Sequence, residues 1–272
     1  LKTLIKKKNK FYIASKSSSR KERKALKWFR DYKSALESSD ADLVYISLQN
    51  SFHYFWAKKA LNNNYHVVVD KPITETFAQA KELVKIAKKR KRLLVEATFF
   101  NYHRQFKKVL KLFKNKKEIE YINSNFIIPF PNNGSFRLNK KQGGGCAMDM
   151  GSYAASISRI LGSGKLLSIK SNVYKNKKDL IISFDVYCKF EHNKYFGYFS
   201  FGGEYKNNLT LFGREKQVEL NNIFSPPSQK NLKILFKKNN ILKITKIKKD
   251  NIFDNFLKEV LLELSRKKFD NY

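Results

Sequence analysis

The sequence predicts an α/β protein in two parts: a doubly wound parallel sheet, then an α+β half built on an open, mainly antiparallel sheet. Two observations predict this. From Phe11 to about Phe113 short apolar runs alternate with amphipathic helical patterns, as stacked βαβ units require. From Ile119 onward the rhythm changes to closely spaced strand-like runs with few helices between them. In order, FYIAS (Phe11 to Ser15), DLVYISL (Asp42 to Leu48), HVVVD (His66 to Asp70) and LLVEA (Leu93 to Ala97) read as buried strands. Phe52, Phe55, Trp56, Ala60 and Leu61 fall at three- and four-residue spacing, and so do Phe77, Ala80, Leu83, Val84 and Ala87, which places helices between the strands. In the second half, a Gly-rich turn leads into a helix over Ala147 to Leu161. Strands then follow near Leu166 to Val173, Leu180 to Phe190, Tyr195 to Phe201, Asn208 to Phe212, Gln217 to Leu220, Leu232 to Phe236 and Ile241 to Ile244. Phe253, Phe256, Leu257, Val260, Leu261 and Leu264 form one stripe of a closing amphipathic helix. The expected domains are 1–117 and 118–272.

Composition limits the function classes. With 272 residues, 42% of them hydrophobic, the chain can bury a sizeable core, and no apolar run approaches the roughly 20 residues of a membrane helix. Two cysteines are too few for a disulfide framework, so a reducing, cytoplasmic setting is expected without a membrane partner. The net charge of +33 taken alone suggests nucleic acid. Of the 56 basic residues, however, 46 are lysine, Asn is abundant and Gly and Pro are scarce, the drift of an AT-rich genome. The basic runs, at Lys88 to Arg92, Lys114 to Lys117 and Lys175 to Lys178, are scattered rather than gathered into a stripe. Solvated faces are therefore favoured over a nucleic-acid site.

In an open α/β sheet ligands bind at the carboxyl ends of the strands. The residues there are Ser15, Lys16 and Ser17; Gln49, Asn50 and His53; Asp70, Lys71 and Pro72; and Glu96 to Thr98. Lys71 stands between a strand and Pro72, which disfavours the αR conformation for it, so its amine can face the crevice and move protons. A surface lysine among 46 is the competing account. In KQGGGCAMDMGSY three consecutive glycines mark a tight turn or close approach to a ligand, and Asp149 and Tyr153 then share one helical face. A carboxylate and a phenol so placed can hold a hydroxylated substrate and pass it a proton. An ordinary turn with Asp149 favoured by the helix dipole explains the pair equally well.

The segments DLVYISLQNSFH, HVVVDKP, EATFFNYHRQF, FRLNKKQGGGCAMDMGSY, FSFGGEYKNNLTLFGREKQVEL and FSPP, in this order, resemble the Gfo/Idh/MocA oxidoreductases. The likeness is greatest to the branch of nucleotide-sugar ketoreductases and dihydrodiol-type dehydrogenases. It implies a Rossmann domain, an NAD(P)-dependent hydride transfer on a sugar or sugar-like substrate, and an open sheet serving as the face of a homo-oligomer, a dimer or tetramer. It makes Lys71, in an Asp-Lys-Pro version of the family's Glu-Lys-Pro, and Tyr153 the catalytic residues. Asp149 becomes a substrate ligand, with Arg137, His103 and Gln142 as further pocket candidates. Leu48, Gln49, Asn50, His53, Asp70 and Lys71 would line the nicotinamide side of the cofactor. Ser15, Lys16 and Ser17 would meet the adenosine 2′-phosphate, and the absence of Asp or Glu at that strand end favours NADP over NAD. The expected mechanism has Tyr153 exchanging a proton with the substrate oxygen, Lys71 binding that oxygen and Asp149 holding a neighbouring hydroxyl. One motif of the family, the G-x-G-x-x-G turn and its strand, is not found ahead of Phe11. Either upstream residues lie outside this sequence, or a gene that lost them encodes a non-catalytic binding protein. A basic nucleic-acid-binding module, resting on charge alone, ranks last.

Overall fold

The computed structural model describes residues 10–16 and 25–266. By its internal contacts the chain divides into two units. Unit 1 takes in the described residues up to Leu48, Phe52–Ala97 and those from Leu257 on, and unit 2 takes in Gln49–Ser51 and Thr98–Phe256. The division falls at 97/98, not at 117/118. The reason is packing: Phe100, Phe106, Val109 and Phe113 belong to the core of the second unit.

In unit 1, β1 (Tyr12–Ala14) pairs in parallel with β2 (Lys27–Phe29). Helix α1 (Tyr32–Ser38) follows, its N-cap Asp31 accepting from the Ser34 amide at 2.7 Å. The sequence reading contained neither β2 nor α1. Strands β3 (Leu43–Ile46), β4 (His66–Asp70) and β5 (Leu94–Ala97) form a second parallel sheet in the order β3-β4-β5. Helices α2 (Asn50–Asn62) and α3 (Phe77–Arg90) connect them. Among the described residues the two parallel sheets are separate.

Val67, Val68 and Val69 are fully buried in β4, as the central strand of a covered parallel sheet requires. The helical faces differ from expectation. In α2 the buried residues are Asn50, His53, Ala57, Ala60 and Leu61, while Phe52 and Phe55 are about half exposed. In α3 Leu83 and Ala87 are buried and Phe77 is 82% exposed. The small alanines let these helices lie close to the sheet, whereas the aromatic rings point off the seam.

Unit 2 opens with two short pieces, a 3-10 turn at Phe100–Tyr102 and helix α4 (Arg104–Leu110). Its eight-stranded sheet has the order β13-β12-β11-β10-β6-β9-β8-β7. The strands are β6 (Tyr121–Ile128), β7 (Leu166–Lys175), β8 (Ile181–Phe190), β9 (Lys194–Phe201), β10 (Lys206–Phe212), β11 (Lys216–Asn221), β12 (Leu232–Lys238) and β13 (Ile241–Ile247). Every pairing is antiparallel except β6 with β9.

Strand β6, missing from the sequence reading, sits inside the sheet between β10 and β9. Ile122, Ser124 and Phe126 alternate inward along it, and Ser124 Oγ and Tyr195 Oη lie 2.9 Å apart in a hydrogen bond within the core. Helix α5 (Cys146–Leu161) packs on this face through Met150, Ala154, Ile157 and Leu161. The closing helix α6 (Ile252–Arg266) buries Phe256, Leu257 and Val260, the core of the expected stripe.

Candidate active site

In unit 1 the site builds up from the end of β4. Asp70 closes that strand, and both of its carboxylate oxygens are held from β3: Tyr45 Oη donates to Oδ1 and Ser47 Oγ to Oδ2, each at 2.6 Å. Tyr45 and Ser47 are two apart in the chain and so share one face of it. Burial, with the Asp70 carboxylate second, raises the Tyr45 phenol far above its ordinary range. Lys71 follows at once, half-buried, joined to Pro72 by a cis peptide bond. Glu96 Oε2, at the end of β5, accepts from the Ile73 amide at 3.1 Å and so fixes the chain just beyond the lysine.

His53 differs from expectation. It is fully buried, and its nitrogens lie 2.7 Å from Pro72 O and 3.0 Å from Leu48 O. Its ring ties α2 to the end of β3 and to the Lys71–Pro72 segment, and so positions these residues. Leu48 packs against the unit's core and Gln49 is half-buried. Ser15 and Lys16 follow β1, with the Lys16 ammonium 5.3 Å from the centre of the Tyr32 ring. Ser17 lies outside the described residues.

In unit 2 the Gly-rich turn is built as its composition suggests. Gly143 (φ 74°) and Gly145 (φ 111°) adopt conformations that L side chains rarely take, and Gly145 is the N-cap of α5. Gly144 is needed for space: a Cβ there would sit 2.5 Å from Phe136 O and 2.6 Å from Arg137 O. Asn50 Nδ2, in this same unit, donates to Gly143 O at 2.8 Å.

Asp149 lies in the first turn of α5, where the helix dipole favours a negative charge. Arg137 Nε donates to its Oδ2 at 2.9 Å, the carboxylate side chain being 12% exposed and the arginine 40%. Tyr153 stands one turn further along. Its ring packs among Phe100, Phe126 and Phe224 at centroid distances of 6.1, 5.6 and 4.9 Å, which fixes the direction of its hydroxyl. Gln142 ends the 3-10 turn before Gly143, half-buried.

His103 lies in unit 2. It is completely buried, and its Nδ1 accepts from the Gln105 amide at 3.1 Å as the N-cap of α4. Burial is the main cause that pushes its pKa below the usual histidine value, with Asp250 and Arg104 opposing one another. Sequence reasoning missed Tyr45 and Ser47, although their i, i+2 spacing on a strand beside Asp70 was a signal for them. Among the described residues no group of three or more His, Cys, Asp or Glu is arranged to hold a metal ion, and no helix is long and apolar enough to cross a membrane.

A parallel unit with a lysine at a strand end, and a mixed-sheet unit with a carboxylate and a phenol on α5, fit the class of a two-unit nucleotide-cofactor oxidoreductase. Residues 8–98 match the model of the Gfo/Idh/MocA family, described as an oxidoreductase family with an NAD-binding Rossmann fold. A dTDP-3,4-didehydro-2,6-dideoxy-alpha-D-glucose 3-reductase of Streptomyces antibioticus is 26% identical over 236 residues, covering 85% of this chain and 72% of that protein. A D-xylose 1-dehydrogenase (NADP(+)) of Haloferax volcanii is 26% identical over 134 residues, covering 48% of this chain and 41% of that one. Among solved structures, KijD10, a 3-ketoreductase from Actinomadura kijaniata in complex with NADP and TDP-benzene, has a TM-score of 0.87 at 22% identity. That match covers 96% of this chain and 83% of the other. Over residues 8–98 the chain is thus similar to the Gfo/Idh/MocA oxidoreductases.

Proposed function

We propose that this protein is an NADP-dependent oxidoreductase acting on a carbinol or ketone carbon of a sugar or sugar-like substrate. One group within each unit supports the reading: in unit 1 Lys71 beside a carboxylate clamped by two hydroxyls, and in unit 2 Tyr153 on the helix turn that follows Asp149. The names of the relatives, which include nucleotide-sugar reductases and an NADP-dependent sugar dehydrogenase, support the substrate class.

Ser15 and Lys16 offer a hydroxyl and an ammonium at the end of β1, donors that fit a phosphate monoester, and they would hold the adenosine 2′-phosphate of NADP. Leu48, Gln49, Asn50, Asp70 and Lys71 would line the nicotinamide half. The bound nicotinamide would supply or accept the hydride at its C4. The Lys71 ammonium donates to the substrate oxygen and stabilises the negative charge that develops there. Tyr153 Oη would give a proton to a substrate oxygen in reduction and take it back in oxidation. Asp149, oriented by Arg137, accepts from a neighbouring substrate hydroxyl, with Gln142 beside the same turn as a further substrate ligand.

The chain also self-associates through the eight-stranded sheet in this reading. Both edge strands support it by exposing large apolar side chains: Ile169, Val173 and Tyr174 on β7, and Ile241, Leu242 and Ile244 on β13.

The test is a titration with NADPH and with NADH by cofactor fluorescence, at a salt concentration that screens bulk charge attraction. Turnover of sugar ketones is measured next. Saturable, NADPH-preferring binding is expected, with turnover lost in Lys71→Ala and Tyr153→Phe while cofactor affinity in Tyr153→Phe stays at the wild-type value. Near-wild-type rates in both variants would refute the assignment.

A further inference from the structure

Beside Tyr153 lies a polar cluster that none of these roles uses. Asn207, 4% exposed at the start of β10, accepts from the Phe224 amide through Oδ1 at 3.0 Å, which fixes the orientation of its amide. Its Nδ2 then donates to both Tyr205 Oη (3.0 Å) and Ser225 Oγ (2.9 Å). These two oxygens are themselves 3.2 Å apart.

Each hydroxyl has one proton, and only one of the two protons can lie between the oxygens. The other must point away from the cluster. Because Tyr205 is 50% exposed and Ser225 is exposed as well, that proton is offered outward. The cluster is therefore a net hydrogen-bond donor, with its two hydroxyl oxygens held in place by a buried amide.

The exposed aromatic surface next to this donor is the Tyr205 ring itself, which rests on the buried rings of Phe126 and Phe224. The Tyr205 ring meets the Phe126 ring edge-on with centroids 6.4 Å apart, Phe126 stacks on Phe224 at 5.4 Å, and both of these rings pack on Tyr153. A fixed donor for oxygen beside one half-exposed aromatic ring, that of Tyr205, is chemistry that suits a pyranose or furanose, which has C–H faces and hydroxyl edges.

We propose that Tyr205 and Ser225, held by Asn207, form a sugar-binding subsite that grips an oxygen of the substrate away from the reacting carbon. The proposal rests on the oxidoreductase reading and names two specificity residues for it. Asn207 is the positioning residue, because its own amide is spent on Phe224 and on the two hydroxyls. The subsite takes the sugar and leaves the cofactor untouched.

The experiment titrates the full chain with D-xylose and with dTDP-glucose by ligand-observed NMR, with NADPH affinity measured in parallel. In Tyr205→Phe/Ser225→Ala, sugar affinity is expected to weaken about tenfold, the effect of losing one net hydrogen bond. NADPH affinity is expected to stay at its wild-type value, while the thermal midpoint falls because the buried Asn207 amide loses both acceptors; a merely structural role for the hydroxyls would lower the midpoint and leave the sugar affinity of the folded protein unchanged. Restoring the serine alone should recover part of the loss.

A double variant with wild-type sugar affinity overturns the subsite, and so does a wild-type chain that binds neither sugar. NADPH binding without a sugar effect sinks the subsite while the oxidoreductase reading stands. A sugar effect in a chain that fails to bind NADPH supports the subsite and sinks that reading.

Discussion

Two glycines seven residues apart should respond to the same substitution with opposite signs. At Gly144 an added Cβ would lie 2.5 Å from Phe136 O, 2.6 Å from Arg137 O and 2.8 Å from Arg137 C. These are backbone atoms, so none can swing aside as a side-chain tip would. The overlap is about 1 Å inside van der Waals contact, and relieving it by moving the turn costs about 2–3 kcal/mol. That movement pulls on the bonds from Gly144 N to Asn139 O (3.0 Å) and from Gly145 N to Arg137 O (2.8 Å), and losing one adds about 1 kcal/mol. Gly144→Ala is therefore expected to destabilise unit 2 by roughly 3–4 kcal/mol. At Gly151, inside α5, a Cβ would meet nothing within 4 Å, and alanine should stabilise by about 0.5–1 kcal/mol through its higher helix propensity. Urea unfolding followed by far-UV circular dichroism measures both. Tryptophan fluorescence is unsuitable, since the two tryptophans, Trp28 and Trp56, both belong to unit 1. A Gly144→Ala protein within about 0.5 kcal/mol of wild type, or two alanines shifting stability in the same direction, would refute the close-packing argument.

Further outcomes follow from two histidines, His66 and His103, and from the sheet edges. His66 and His103 each accept a backbone amide through Nδ1, and burial lowers the pKa of both in the folded state. The unfolded chain then binds protons that the native one does not as pH falls below about 6.5, so stability is full above that value and declines beneath it. His103→Asn keeps a capping acceptor on α4 and should flatten the decline between pH 6.5 and the lowered folded value; an unchanged slope in pH-dependent urea titrations would count against it. For the sheet edges, Ile244→Lys is expected to reduce the mass measured by light scattering, and a variant with the parent's mass would exclude β13 from the interface.

Much of the fold was legible because it is written in local periodicity. Strand β4 matches its expected span of His66 to Asp70, and α6 buries Phe256, Leu257 and Val260 of the expected stripe, because a two- or 3.6-residue repeat needs no knowledge of the partner surface. Helix α2 shows the limit of this. Its apolar residues run around much of the cylinder, so the spacing admitted two faces, and the sheet selected the one with Ala57 and Ala60 and left Phe52 and Phe55 outside. Strand β6 escaped notice because Asn123, Ser124 and Asn125 interrupt its apolar run. Ser124 is tolerated at the centre of the core only because Tyr195, 71 residues away, supplies a hydrogen bond.

The site divides in the same way. Lys71, Asp149 and Tyr153 stood out from the sequence because a proline, a glycine turn and a helical spacing mark them locally. That Asp70 is clamped by Tyr45 and Ser47, that Arg137 pairs with Asp149, and that His53 and His103 bond to backbone groups were decided by tertiary structure alone. Hydrogen-bond partners are set by which segments packing brings together, and a one-dimensional pattern carries the capacity of a side chain to bond but not the identity of the group it will meet.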